Sequence, residues 1–546
     1  MVKSDKMTGL DDTKQIRAEG GLLRAATWIA LIILLSKIAG FLRDIVIANY
    51  YGAGLVSDAY FYAYQIPALV LVILGGVSGP FHSATVAVFS KLVTDLKAKP
   101  PAEVKKLFNT FETASLIVFI VLALLCFFFP TQIMRIIISD SSPELLSLAS
   151  MHLKIMSPIV VIGAVIGIYY GILVTYKRFL LPNISPSLLS LGVIIVLFIS
   201  RGDKTGAMLA LGTTFGAFLQ LMIQAPAVYK LGYSFKPSFD FLHNKNLNDI
   251  CELLFPAFLS STVGQIGIYI DMFFASGLKE GAWTAFGYAN RIFQFPVGML
   301  LTAILVPLFP LFSRLVAQKD LKGLEHYFTK GVGSLFFIGS YLMVTIFLIR
   351  TDAIHVALER GAFDHSATLL VSEILFFISL SILPYVFRDS ATRLLYAFND
   401  SKTPFVIAMF AIVLKILLNM LLVGPFGING IALSTTLITL FNGALLGYFA
   451  RKKVQIGYRK LFFVTLKILS AAAIAGLAGW AVQALFDKVQ YWSLIFGIVK
   501  ISVVSLVTLI VYIAASYVLK IEYLSELTER IKGKIASKFG GNSNAG

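Results

Sequence analysis

The sequence predicts an all-α polytopic membrane protein: fourteen transmembrane helices, two six-helix repeats forming N- and C-lobes, and two extra C-terminal helices. Three observations carry that expectation. The 546 residues are 58% hydrophobic and only 14% charged, with mean hydropathy +0.83, whereas a soluble domain is about a quarter charged. The apolar residues fall in runs near or above the ~20 residues that cross about 30 Å of hydrocarbon. Several landmarks recur in the same order half a chain apart. So little charge cannot cover a folded surface in water, which excludes a soluble enzyme with one anchor. The long runs exclude an outer-membrane barrel, whose strands alternate.

In chain order, 1–24 is polar and of mixed charge, a cytoplasmic tail without the apolar core of a cleavable signal. The apolar runs lie at 25–50, 57–90, 107–130, 148–175, 184–200, 206–229, 250–277, 283–313, 331–349, 367–395, 404–424, 427–450, 461–485 and 491–518. Two of them, 57–90 and 283–313, are too long for one straight crossing. Gly75-Gly76 with Gly79-Pro80, and Pro307 with Pro310, mark breaks or tilted extensions there. The expected organisation is an N-lobe over 25–229, a cytoplasmic linker over 230–249 and a C-lobe over 250–450. Spans 13 and 14 then fill 451–518, and a cytoplasmic tail fills 519–546.

Orientation follows the Lys/Arg bias. With the N-terminus inside, the alternate segments on that side hold 32 Lys and Arg, and the opposite segments hold 7. Both termini are therefore expected in the cytoplasm, with the chain in the cytoplasmic (inner) membrane. The bias accounts for most of the +17 net charge. It calls for anionic lipid along the inner face rather than nucleic acid.

The repeat is read from paired landmarks. Asp44, Gln65-Ile66-Pro67 and Phe89-Ser90-Lys91-Leu92-Val93 find counterparts in Asp271, Gln294-Phe295-Pro296 and Phe312-Ser313-Arg314-Leu315-Val316. Pro182, Ala210-Leu211 and Thr213-Thr214 pair with Pro404, Ala432-Leu433 and Thr435-Thr436. The offsets stay between 222 and 229. Spans 1–6 and 7–12 are thus two copies of one unit in the same orientation. In transporters built this way the substrate path lies between the halves, near the midplane.

Charges inside apolar runs mark that path, because each costs about 2.5–3.5 kcal/mol at a helix centre. Lys37, Arg43 and Asp44 lie on span 1, Asp58 opens span 2, Asp271 is on span 7, Arg291 on span 8 and Lys415 on span 11. Arg43 is expected to pair with Asp44 or Asp58, structural or gating acids. Lys37 and Arg291 are then left over, and a net positive cleft suits a phosphate or diphosphate. Lys467 and Lys500 read as snorkelling cations or as part of a fold of spans 13 and 14. His82 reads as a polar packing residue. Cys126 and Cys251 suggest no disulfide framework, and the six histidines are scattered with no HExxH. No zinc or other metal site, no cofactor and no catalytic group is expected. Without a GxxxxGK(S/T) loop the chain does not burn ATP by itself.

Ser36-Lys37-Ile38-Ala39-Gly40-Phe41-Leu42-Arg43-Asp44, Tyr51-Gly52-Ala53-Gly54, Asp58-Ala59-Tyr60-Phe61 and Ile66-Pro67 resemble the opening of the MurJ (MviN) lipid II flippase family. That family belongs to the multidrug/oligosaccharidyl-lipid/polysaccharide exporter superfamily. Asp271-Met272-Phe273-Phe274-Ala275-Ser276, Tyr288-Ala289-Asn290-Arg291, Arg360-Gly361-Ala362-Phe363, Lys402-Thr403-Pro404 and Gly424-Pro425 extend the resemblance over roughly 25–450. It implies translocation of undecaprenyl-diphosphate-linked peptidoglycan precursor, lipid II, from inner to outer leaflet by alternating access. The family's cavity arginines match Arg43 and Arg291. A further span 1 arginine is replaced by Lys37, and the family's acid at the start of span 2 matches Asp58. The chain departs from many members at Leu71-Val72 and Gly76, where they carry arginines and an acid. In the family, spans 13 and 14 form a groove suited to the polyprenyl tail.

The family's sodium site draws on spans 7, 11 and 12, here Asp271, Lys415, Asn419 and Thr435. Sodium or the membrane potential is the driving force the resemblance implies. Lys415 is expected to replace the ion and pair with Asp271. The alternative is that Lys415 points into the cleft as a further substrate cation. The partners are lipid II or a similar lipid-linked glycan, membrane lipids and the peptidoglycan synthesis machinery, with the protein a monomer. The alternative functions are a flippase for another lipid-linked oligosaccharide and a non-transporting scaffold for wall synthesis.

Overall fold

The computed structural model describes residues 31–73, 79–93, 95–96, 98–138, 140–201, 203–241, 245–489 and 493–524. The expected tail 1–24, the expected tail 519–546 from residue 525 onward, the opening of span 1 and the Gly75-Gly76 break lie outside them. The described residues are all-helical, with no strand. Among the described residues ten helices are long and apolar enough to cross a membrane, and eleven if one bent pair counts as a single crossing. The protein is therefore a multi-pass membrane protein. The chain divides into two compact units, one ending at Gln265 and the other starting at Ile266.

The first unit begins with α1 (31–51), then α2 (Leu55–Ile73) and α3 (Pro80–Leu92). Gly79 is extended (ψ 158°) and Pro80 opens α3, so the long run 57–90 is two helices. Proline at a first helical turn costs no hydrogen bond, because that N–H is an orphan anyway. The same device starts α5 (Pro130–Ile137) after α4 (Ala102–Phe128), and α6 (Pro143–Met156), α7 (Pro158–Thr175) and α9 (Pro186–Ser200). The expected single run 148–175 is consequently broken between α6 and α7, at Ser157-Pro158. A short α8 (Leu180–Ile184) precedes α9, and α10 (Ala207–Lys230) follows it.

α7 is the centre of this unit, packed against α2, α3, α4 and α10 and buried on nearly every face. Small residues allow the closest approaches. A Cβ on Gly171 of α7 would stand 2.5 Å from Thr85 Cβ of α3. A Cβ on Gly192 of α9 would stand 2.4 Å from Gly216 Cα of α10. Those backbones are in direct contact, and any side chain there would force α9 and α10 apart.

α11 (Lys245–Ala275) crosses the division, and the second unit continues with α12 (Ala282–Ala317) and α13 (Leu321–Leu358). α12 runs unbroken for 36 residues with Pro296, Pro307 and Pro310 inside it, about 54 Å at 1.5 Å per residue. Of the two expectations for run 283–313, the extended helix is correct and a break is not. α13 is longer still at 38 residues. α14 (His365–Ser379) and α15 (Ile382–Ala397) form the bent pair, at 45°, where one uninterrupted run was expected. α16 (Lys402–Phe426), α17 (Ile428–Lys453), α18 (Tyr458–Phe486) and α19 (Leu494–Val518) complete the chain.

α13 is the spine of the second unit, touching α12, α14, α15, α18 and α19. A Cβ on Gly479 of α18 would lie 2.3 Å from Thr508 Oγ1 of α19 and 2.5 Å from Leu348 Cδ1 of α13. Tyr512 Oη of α19 donates to the Phe337 carbonyl of α13 at 2.7 Å. Outward positions such as Ile199, Leu421, Leu477, Ile495 and Tyr517 are exposed. Helices that are apolar all round suit lipid, not water, as the surrounding medium.

Candidate functional site

The charged residues expected to line the path sit on α1, α2, α11, α12 and α16. On α1, Arg43 donates from Nε and Nη2 to Asp44 Oδ1 at 3.1 and 2.9 Å. Asp44 is buried and Arg43 half-buried. Of the two acids proposed for Arg43, its neighbour Asp44 is the partner. Lys37, two turns earlier, is exposed and does not join this pair. Asp58 is buried in the first turn of α2.

Arg291 lies on α12, half-buried, with its guanidinium 5.9 Å from the Tyr288 ring. Tyr288 is buried and takes the edge of Phe363, 5.8 Å away and tilted by 69°. The sequence motif around Arg291 is thus packed against the loop carrying the Arg360-Gly361-Ala362-Phe363 motif.

The four residues expected as a cation-site group come together on α11, α16 and α17. Lys415 Nζ lies 2.9 Å from Asp271 Oδ2 and donates to Thr435 Oγ1 at 3.0 Å. Asn419 Nδ2 donates to Asp271 Oδ1 at 3.0 Å. Ser434 Oγ, which the sequence reading missed, donates to Asn419 Oδ1. Asp271, Lys415, Asn419 and Ser434 are all at most 7% exposed. Gly267, one turn before Asp271, also went unnoticed. A Cβ there would stand 3.7 Å from Lys415 Cδ, an ordinary contact distance, so the lysine stem runs directly alongside α11 at this position. A sodium ion does not fit these residues as they stand. The ammonium already faces the carboxylate and the threonine hydroxyl, and a second cation beside it would be repelled.

Other polar groups fall outside the expected path. Lys500 of α19 bridges Asp352 Oδ1 of α13 at 2.8 Å and Asp487 Oδ1, just past α18, at 2.7 Å. Lys500 is buried, tying spans 13 and 14 to α13 through acids the sequence did not single out, so its fold reaches beyond those two spans. Lys467 donates to the Leu519 carbonyl at 3.4 Å. His82 sets its ring edge-on to Tyr170, 4.7 Å away. Glu112 is a buried acid of α4 that the inventory of membrane charges overlooked. The histidines that look scattered in the chain do meet in one place: His355 and His365 converge on Glu359.

A cavity of about 1050 Å³ lies along α12 and α13, lined among others by Met299, Pro307, Leu311, Tyr327, Lys330 and Tyr523. It is mostly apolar, with Lys330 as its charged group. The apolar groove was expected on spans 13 and 14, here α18 and α19. This cavity is a separate feature on α12 and α13, with Tyr523 reaching in from beyond α19.

The family model described as lipid II flippase MurJ matches residues 47–503. A Synechocystis protein described as "Probable lipid II flippase MurJ" is 30% identical over 533 residues, covering 94% of this chain and 98% of its own. A Vibrio cholerae protein of the same description is 25% identical over 480 residues, covering 85% and 90%. Among solved structures, a lipid II flippase MurJ in an inward closed conformation superposes with TM-score 0.76 at 24% identity, covering 90% of this chain and 98% of that one. An inward-facing multidrug resistance MATE family transporter of the MOP superfamily superposes with TM-score 0.61 at 13% identity, covering 78% and 98%. These structural likenesses concern the fold.

Proposed function

The chain belongs to the lipid II flippase MurJ family, and from that premise we propose that it turns lipid II from the inner to the outer leaflet of the cytoplasmic membrane. It is a transporter rather than a catalyst. The observation that carries the reading is the match to the family over residues 47–503, with the half-buried Arg291 inside it. A diphosphate brought into low dielectric needs charge-assisted donors. Arg43 and Lys37 from the first unit and Arg291 from the second are the cations proposed to supply them. Asp44 holds the Arg43 fork in one direction until an anionic ligand competes for it. The finer architecture belongs to the same proposal: fourteen spans, two six-helix repeats as lobes moving by alternating access, and both termini in the cytoplasm. The protein works as a monomer among anionic lipids, beside the wall-synthesis machinery that consumes its product.

We further propose that Lys415 acts as a tethered cation. Where a transporter of this architecture would bind an ion, the ammonium is covalently attached, so transport does not depend on sodium. The membrane potential is then the driving force that remains. The apolar cavity along α12 and α13 is proposed to take part of the polyprenyl chain, its walls matching hydrocarbon in polarity.

One observation favours a second substrate, another lipid-linked oligosaccharide. Leu71, where many members of the family carry an arginine, packs against α7, its Cδ2 lying 3.3 Å from a Cβ built on Gly163. An apolar contact thus stands where a cation would hold the diphosphate. The deciding experiment is depletion of the protein in its host with lipid II measured in each leaflet. Accumulation in the inner leaflet supports the lipid II reading. An unchanged distribution, with another lipid-linked glycan accumulating, supports the second.

A further inference from the structure

The last turn of α13 and the start of α14 bring two imidazoles and a carboxylate together. His355 and Glu359 are one helical turn apart, so their side chains share a face. His355 Nδ1 lies 2.7 Å from Glu359 Oε2, and His365 Nδ1 lies 3.2 Å from the same oxygen. The two rings are 6.5 Å apart, centre to centre. Thr368 Oγ1 donates to Glu359 Oε2 at 2.6 Å and fixes the carboxylate. Gly361 has φ +59°, which lets the chain turn back over five residues. Asp364 accepts the Ala367 N–H at 2.9 Å and caps α14, placing His365 as its first residue.

We propose that His355, Glu359 and His365 form a three-ligand site for a zinc-class divalent cation that clips the α13–α14 loop. Bonds of about 2.0–2.1 Å in a tetrahedron hold neighbouring ligand atoms about 3.3–3.4 Å apart. The ligand atoms here all lie within 4.8 Å of one another, so small side-chain rotations complete the set. Two imidazoles select zinc, copper or nickel over magnesium and calcium, which prefer oxygen. Three protein ligands leave a fourth position for water. The exposed His365 provides an entry route, and the Arg360 guanidinium turns away to the Val356 carbonyl. Thr368 supplies the outer hydrogen bond that metal sites commonly use to orient a ligand.

The loop so clipped carries Phe363, which is 1% exposed and packs on Tyr288, the aromatic neighbour of Arg291. Metal occupancy therefore holds the wall beside Arg291 in place. By the orientation read from the Lys/Arg bias, this end of α13 faces the outside.

The test uses the full-length protein purified in detergent without a histidine tag. Zinc is titrated calorimetrically, with magnesium and calcium in parallel. One zinc per chain is expected, with no heat from the other two ions. His365→Ala, at an exposed position, should weaken binding at least tenfold, and Thr368→Val should weaken it by about 10–100-fold. The His355→Ala, His365→Ala double variant should not bind. Zinc should also slow tryptic cleavage after Arg360 in the unaltered protein and not in the double variant. Failure to bind one zinc per chain, or unchanged affinity in His365→Ala, overturns the site. One-to-one binding that leaves cleavage at Arg360 unaffected overturns the clip.

Discussion

Replacing Lys415 with methionine isolates the charge of the buried group on α11, α16 and α17. Methionine keeps most of the stem that crosses Gly267, so packing changes little. The carboxylate of Asp271 then loses the ammonium at 2.9 Å and retains only the Asn419 amide at 3.0 Å. At 5% exposure Asp271 cannot turn to water. Breaking one side of such a pair costs about 3–5 kcal/mol, mostly from the stranded charge. Adding Asp271→Asn removes that charge, so the double variant should recover most of the loss. The assay is thermal unfolding of the purified protein, singles against double, with potassium or sodium as the only salt cation. Sodium should leave the unaltered protein unmoved and should stabilise Lys415→Asn, whose vacated position is ringed by Asp271, Asn419 and Thr435. Transport by Lys415→Asn should then require sodium. A double variant as unstable as the sum of its singles would refute the pairing. Sodium stimulation of the unaltered protein would refute the tethered cation.

Arg43→Ala and Arg291→Ala should each abolish growth of a flippase-depleted strain at normal protein levels, checked by complementation and immunoblot. Arg291→Lys should be intermediate, because a point charge replaces a planar fork. Single cysteines at exposed positions 204 and 488 should react with an impermeant thiol reagent in intact cells, and those at 99 and 319 only after permeabilisation. The reverse pattern would invert the proposed orientation. In the loop before α10, burial alone would raise the Asp203 carboxyl. Hydrogen bonds from the Thr205 hydroxyl, the Met208 amide, the Tyr51 hydroxyl and the Ala207 amide outweigh it and hold the group below its ordinary value. A depressed folded-state value stabilises above the unfolded one, about pH 4, and the contribution is lost as pH falls through the folded value. Asp203→Ala should therefore cost about 1 kcal/mol near neutrality, measured by thermal unfolding, and the difference should shrink under strong acid.

The helices were legible because lipid demands long unbroken apolar runs, and in most cases each run became a helix. The breaks were legible where glycine and proline coincide, as at Gly79-Pro80. They were not where a serine before proline ended one helix and began another, as at Ser157-Pro158. Pro307 and Pro310 show the converse, since a helix in lipid keeps its course when water offers its backbone no alternative partner. Asp271 and Lys415 could be paired in advance because both stand out against apolar neighbours. Asp352 and Glu359 could not, because each sits at the end of a run and resembles a loop acid. His355 and His365 looked unrelated for a similar reason. Their meeting depends on the turn at Gly361, which no spacing rule specified.

The bridge made by Lys500 sets an order of assembly. A lysine at the centre of a membrane helix is unfavourable by about 2.5–3.5 kcal/mol, and α19 carries one in its second turn as its single charged residue. Its inner partner, Asp352, lies 148 residues earlier in the chain. That acid has already been made when α19 leaves the ribosome. Asp487, on the α18–α19 connection, is more exposed than Asp352 and meets the lysine from the wet side. Docking on α13 thus gives the lysine of the last helix pair a buried carboxylate that lipid would not offer it. Moving α18 and α19 ahead of α13 in a permuted gene would ask the lysine to enter before its acid exists.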